Sequence, residues 1–266
     1  PSSLHRAIPC PASVKASEGV TPYENPAMIE ARDSGTRCHA ISAAARSVDD
    51  KSLIHASALN TMEKGLCDNA YDQVSEWIDP LDEVEVEVQF DLDQWGMYKT
   101  GRDGEHSADV VILTKSKGKK GGYAHAFIID LKFGKGEVEP PAENSQLLAY
   151  ALAVKDRYSP RKITVGICQP RLYDEVKFAL LTPKVLKDFK RELAQCVKEV
   201  DSGKVFNEGD WCKYCPCAGV GGGCPIKELK RTNREAPRAQ KRENEGVIRW
   251  LIPFASDVPQ AYLKYD

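Results

Sequence analysis

An α/β fold is predicted by three features of this 266-residue sequence. Ala, Leu and Met recur at helical spacings over 27–46 and 55–78, EVEVEVQFDL (83–92) alternates strictly, and helical spacing returns at SQLLAYALAVKDRY (145–158) after two more strand-like runs. Side chains share a face every three or four residues on a helix and every second residue on a strand, so a change of period marks a change of element. With 42% hydrophobic residues, a chain of this length can bury a sizeable core.

The elements follow in order. AMIEARDSGTRCHAISAAAR and HASALNTMEKGLCDNAYDQVSEWI read as two helices with Gly35 and Gly65 as their main breakers, and the first carries His39. EVEVEVQFDL, SADVVILT (107–114) and AHAFIIDLKF (124–133) then form a meander of strands. KSKGKKGGY, between the last two, is basic and Gly-rich and is expected to project as a hairpin tip. PPAEN blocks the strand and offers Asn144 as N-cap for the helix that follows. KITVGICQP and EVKFALLT read as two further strands, and Pro183 opens a helix to about Val200. Beyond residue 205 apolar periodicity fades into a segment with four cysteines and then a basic run. Core burial alone cannot offset the entropy of ordering such a segment, so a cross-link such as a metal centre is expected there.

Composition narrows the function classes. A formal net charge of −2 gives no global basic field, so a nucleic-acid site would need local segregation of charge. No run approaches the roughly 18 apolar residues of a membrane span, and PSSLHRAIPCPAS has no apolar core of a secretion signal, so a cytoplasmic location is the expectation. Nine cysteines, an odd number in a reducing compartment, fit a disulfide framework poorly. Their spacing matters more than their count.

The chemistry gathers around FIIDLKF. Residues i and i+2 of a strand share a face, so Asp130 and Lys132 project together as a carboxylate–ammonium pair. Alone, such a pair is most simply an ion pair at a strand end. Gln146 and Tyr150, spaced i, i+4 on one face of the next helix, add to it; Asp109 opens the strand expected to pair with AHAFIIDLKF, and His39 lies on the preceding helix. Taken singly, His39, Gln146 and Tyr150 are ordinary helix residues. The ordered set H…D…D-x-K…Q-x-x-x-Y is more specific.

That set resembles the PD-(D/E)-x-K nuclease superfamily in its RecB-like exonuclease branch, over roughly residues 1–226. The resemblance implies a mixed central sheet flanked by helices, a divalent metal held by His39, Asp109, Asp130 and the main-chain carbonyl of Leu131, and catalytic roles for Asp109, Asp130, Lys132, Gln146 and Tyr150. One departure is the turn before the first acid, where the family often has G-x-x-D and this chain has His106-Ser107-Ala108-Asp109. The residue types suit the reaction: carboxylates hold Mg²⁺ or Mn²⁺, an imidazole leans the site toward Mn²⁺, and Lys132 can orient the water or meet charge developing at the phosphate. Relatives often have an acid in the strand region ahead of Asp109, which makes Glu87 a further candidate. Alternation alone predicts that Glu85 and Glu87 face solvent.

The C-terminal spacing is Cys212-x-x-Cys215, Cys217, Cys224-Pro225, with Cys10 upstream in IPCPAS. Thiolates at such spacings take zinc or iron–sulfur, and four local cysteines by themselves favour zinc. AddB-type exonucleases and CRISPR-associated relatives place one cysteine upstream and three downstream of the nuclease motifs. Ser2-Ser3-Leu4-His5-Arg6 followed by Cys10-Pro11-Ala12-Ser13 is a near variant of the start of phage members. The resemblance implies a [4Fe–4S] cluster on Cys10, Cys212, Cys215 and Cys224, with zinc as the alternative and Cys217 as a competitor for Cys224. Cys38, Cys67, Cys168 and Cys196 read as buried small hydrophobes.

The function expected is a metal-dependent DNA exonuclease of phage recombination or DNA processing, with a single-strand annealing recombinase as a possible partner. Residues 1–226 would form the nuclease domain and 227–266 a basic extension. Lys115, Lys117, Lys119 and Lys120 in the hairpin, with Lys230, Arg231, Arg234, Arg238, Lys241 and Arg242, are candidate phosphate contacts, although a solvated charge run explains them as well. Two alternatives stand beside this: a non-catalytic iron–sulfur DNA-binding module, and an endonuclease or single-strand nuclease of the CRISPR-adaptation type.

Overall fold

The computed structural model describes residues 3–21, 24–92, 95–96, 106–117, 121–219, 223–228 and 230. Lys119, Lys120 and the basic segment from Arg231 onward, named above as phosphate contacts, lie outside the described residues. Helices α1 (Leu4–Ala7), α2 (Ala12–Ala16), α3 (Pro26–Ser47), α4 (Ser52–Ala56) and α5 (Thr61–Ser75) precede strands β1 (Glu83–Phe90), β2 (His106–Lys115) and β3 (Tyr123–Leu131). Helix α6 (Ser145–Tyr158), strands β4 (Lys162–Cys168) and β5 (Lys177–Leu181) and helix α7 (Pro183–Ser202) follow, with two short 3₁₀ turns at Asp210–Tyr214 and Pro216–Ala218.

The fold is α/β, a five-stranded mixed sheet in the order β1-β2-β3-β4-β5. All neighbours are antiparallel except β3 and β4, which α6 joins as a parallel crossover. One face packs on α6 and α7 through Leu147, Leu186, Phe189 and Leu193; the other packs on α3, α4 and α5 through Cys38, Ile54, Cys67 and Val74. The sheet is thus covered on both faces, which explains the near-continuous apolar runs of β3 and β4. Gly166 on β4 has a steric reason: a Cβ there would stand 2.6 Å from the Phe178 ring of β5. No helix among the described residues is long and apolar enough to cross a membrane.

Two boundaries differ from the sequence reading. The helix expected over 55–78 is two helices, because Asn60 caps α5 with a reciprocal pair of bonds: its side chain accepts from Glu63 N, and Glu63 returns to Asn60 N. Asn60→Ala is expected to cost about 1 kcal/mol of stability, measured by urea denaturation, because it leaves a donor at the helix start unsatisfied. The third strand ends at Leu131, yet Lys132 N still donates to Cys168 O at 2.8 Å, so Asp130 and Lys132 keep a common face.

The other departure lies inside β1 and β2. Val84 packs on the α3–α5 face, whereas Val88 and Phe90 pack on the α6–α7 face, although all three are separated by even numbers of residues. In β2, Ala108 and Val110 likewise belong to opposite faces. The alternation breaks where Glu87 takes a left-handed φ of 49°, opposite Asp109 in a ladder whose register runs from Val86↔Val110 to Val88↔Ala108 without them. A non-glycine residue in that conformation costs on the order of 1–3 kcal/mol, a strain that collects at functional sites.

Candidate metal centre

This break aims two carboxylates at α3. Ligand atoms of His39, Glu87 and Asp109 all lie within 4.8 Å of one another, and this is the one such group of metal-ligating side chains among the described residues. His39 Nδ1 is 3.5 Å from Asp109 Oδ1, and its ring packs edge-on against Phe133 with centroids 5.1 Å apart. Asp109 Oδ2 accepts Leu131 N at 2.6 Å, and Glu87 Oε2 accepts Ser107 Oγ at 2.6 Å. Each carboxylate is therefore oriented through one oxygen.

A second group adjoins the first. Asp130, only 2% exposed, has Oδ2 at 2.8 Å from Lys132 Nζ, an ion pair at the strand end. Lys132 Nζ donates to Gln146 Oε1 at 3.1 Å, and Gln146 Nε2 donates to Tyr150 OH at 3.3 Å. Asn144 sets that face by capping α6, its Oδ1 accepting from Gln146 N and Leu147 N.

The electrostatics favour a cation. Burial raises the Asp130 pKa, and the Lys132 charge only partly opposes it. For Lys132 burial acts downward, but Asp130 and Asp109 outweigh it and hold the ammonium's pKa above its ordinary value. Burial likewise acts downward on His39, and the hydrogen bond and charge of Asp109 turn the shift upward. Three carboxylates against one ammonium leave a negative excess in a partly desolvated site, where unpaired charge is expensive. The oxygen and imidazole donors of His39, Glu87 and Asp109, with the buried Asp130 carboxylate beside them, fit a hard divalent ion.

The structure brings His39, Asp109, Asp130, Leu131, Lys132, Gln146 and Tyr150 together, with one difference from the expected ligand set. The compact triad includes Glu87, while Asp130, 2.8 Å from Lys132 Nζ, lies outside it. The expectation that Glu85 and Glu87 face solvent is overturned: both are partly buried, Glu85 accepting from Tyr158 OH at 2.8 Å. Lys115 and Lys117 are not brought to the centre. Lys115 is six residues beyond Asp109 on β2, roughly 20 Å at about 3.3 Å per residue, and pairs with Glu83.

Cys38, Cys67, Cys168 and Cys196 are buried, as read from the sequence. At the chain ends, Asn207 N donates to Cys10 Sγ at 3.4 Å, Asn207 Nδ2 to Pro9 O at 2.7 Å, and Ala12 N to Val205 O at 3.0 Å. Cys215, Cys217 and Cys224 form one buried group, with the first two sulfurs 3.3 Å apart, while Cys212 is partly exposed. No three of these sulfurs form a group within 4.8 Å, so the thiols are not gathered as the ligands of a single tetrahedral ion would be.

A family model described as "Protein of unknown function (DUF2800)" matches residues 1–247. No curated protein matches the chain.

Proposed function

The chain belongs to this family, whose description states no activity, and from its own side chains we propose that it is a divalent-metal-dependent DNA exonuclease with a PD-(D/E)-x-K core. The observation that carries the reading is the convergence of His39, Glu87 and Asp109 with the chain Asp130–Lys132–Gln146–Tyr150, drawn from two helices and three strands. His39, Glu87 and Asp109 would hold Mg²⁺ or Mn²⁺ with Asp130 beside them, and the ion supplies charge neutralisation at the phosphate and a more acidic attacking water. Lys132, kept cationic by its carboxylate neighbours, offers its ammonium to the attacking water or to a phosphate oxygen. Gln146 spans Lys132 and Tyr150 and so fixes both against rotation.

A binding module has no need for a partly buried lysine paired with a buried carboxylate beside a His–Glu–Asp group, which favours catalysis over the non-catalytic alternative. The test is digestion of end-labelled linear DNA and of closed circular DNA with Mn²⁺ or Mg²⁺. Linear DNA is expected to lose its end label, circles to survive, and a chelator to stop the reaction. Cutting of circles would make the protein an endonuclease, and inertness toward both DNAs and toward single strands would sink the nuclease reading. In the same proposal residues 1–226 form the nuclease domain, 227–266 a basic extension toward DNA, and a single-strand annealing recombinase in the cytoplasm receives the product.

The thiols belong to a second part of the proposal. Cys10, Cys212, Cys215 and Cys224 would hold a [4Fe–4S] cluster, zinc being the alternative, with a structural role in joining the chain's ends. Supporting it are the bonds that bring Pro9, Cys10 and Ala12 to the C-terminal segment and the burial of Cys215 and Cys224 beside them. Cys217, 1% exposed and against Cys215, competes with Cys224.

A further inference from the structure

A centre of this composition needs help to hold a polyanion. A divalent ion added to three carboxylates and one ammonium leaves it formally neutral, so a DNA strand has to be held by cations outside it. Lys115, at the far end of β2, is not among them.

Arg171 stands beside the centre, on the turn that follows β4. Strand β4 ends at Cys168 in register with Leu131, and three residues later Arg171 Nε donates to Phe133 O at 2.6 Å. Phe133 therefore serves both groups: its carbonyl holds the guanidinium, and its ring packs edge-on against His39 with centroids 5.1 Å apart. Leu131 N already touches the centre, 2.6 Å from Asp109 Oδ2. From there to Phe133 is two residues, roughly 7 Å of chain at about 3.3 Å per residue. The guanidinium is thus on the order of 10 Å from the ion ligands, a few nucleotides along a strand that rises about 3.4 Å per nucleotide.

Its charge is not cancelled. Among the described residues no carboxylate forms an ion pair with Arg171, whereas Arg32, Arg37 and Arg191 each have at least one. Asp174 and Glu175, next along the turn, form none with it. The partners it has are neutral: a main-chain carbonyl at Nε and, at Nη1, the Met62 thioether at 3.4 Å. A carbonyl orients the guanidinium without neutralising it, and a thioether is a weak acceptor, so the outer edge of the fork keeps donors for a stronger one. Lys132 differs, its charge being set against Asp130 at 2.8 Å. Planar paired donors match two oxygens of a phosphate, and a partly exposed guanidinium already held in one orientation loses little freedom on meeting them.

We propose that Arg171 binds a backbone phosphate of DNA flanking the one at the metal centre. The proposal rests on the nuclease reading above and adds a residue that holds the strand and takes no part in the chemistry. A phosphate contact carries no sequence information, so the hold is the same for every sequence.

The test uses the full chain with Ca²⁺ in place of Mg²⁺ or Mn²⁺, under conditions in which the DNA stays intact, and follows the anisotropy of end-labelled DNA over a range of salt. Arg171→Gln is expected to bind about tenfold more weakly, the scale of one charge-assisted hydrogen bond. It should also lower the slope of log K against log salt by about 0.7–0.9, the value of one phosphate contact. Arg171→Lys should keep the slope and recover part of the affinity, which a role in packing would not produce. Arg171→Met, which keeps the aliphatic stem, replaces the first variant if that does not fold. An unchanged slope in folded Arg171→Gln or Arg171→Met overturns the assignment even if the protein cleaves DNA. A reduced slope in a protein that never cleaves with Mn²⁺ or Mg²⁺ overturns the nuclease reading and leaves Arg171 a DNA contact. Failure of the wild type to bind DNA overturns both.

Discussion

Asp130→Asn is expected to lower DNA cleavage by at least about 10²–10³-fold, the scale for loss of one preorganised electrostatic group, while the protein stays folded. The stability half of this result has a definite sign. Asp130 is buried in a site with an excess of carboxylates, and its neutral isostere removes a desolvation cost and repulsion that outweigh the lost pairing with Lys132, without opening a cavity. In chelator the variant should therefore melt at or above the wild-type temperature. Adding Mn²⁺ should stabilise the wild type and do so much less in the variant, because ligand binding to the native state is what raises Tm. Glu87→Gln should show the same two signs, since Glu87 belongs to the compact triad.

Lys132→Ala should match the loss of activity but not the stability pattern. Removing Lys132 strands a 2% exposed carboxylate, and breaking a pair from one side is destabilising when the charge left behind is buried. Its melting temperature in chelator should fall, which separates the lysine from the carboxylates. Near wild-type turnover in Asp130→Asn and Lys132→Ala would remove both from the catalytic machinery.

How far the sequence could be read depended on whether the determining physics was local. Helix α6 is bounded by Asn144 and a left-handed Ser159, and the apolar period between them placed it at 145–158. The D-x-K pair and the i, i+4 pair Gln146–Tyr150 are likewise set by strand and helix period, and they meet as that period requires. The break between α4 and α5 was also local, since Asn60-Thr61-Met62-Glu63 has the spacing of a capping box, but the apolar period running through it hid the signal. Glu87 is different in kind. EVEVEVQF alternates without a flaw, and its left-handed residue follows only once β1 faces β2 in register and Asp109 stands opposite. A glutamate with no turn signal around it gives a single-strand reading nothing to detect.

The second large effect concerns the thiols. Cys10→Ser and Cys212→Ser are each expected to abolish the brown colour of thiolate-bound iron and to make the protein poorly soluble. The reason lies in loop length. A centre joining Cys10 to Cys212 would close a very long loop, and the segments it would hold have little core of their own: α2 contributes Val14, and the C-terminal group is chiefly Cys215, Cys217 and Cys224. Losing the tie should therefore release both ends and expose the α7 face that carries Cys196 and Val200. Iron and acid-labile sulfide, measured on anaerobically prepared protein, check the assignment, and stoichiometric zinc with neither would overturn it. The fourth ligand is decided by a pair of variants. Cys224→Ser is expected to lose iron while Cys217→Ser keeps it; the reverse would move the ligand to Cys217, whose sulfur already lies 3.3 Å from that of Cys215.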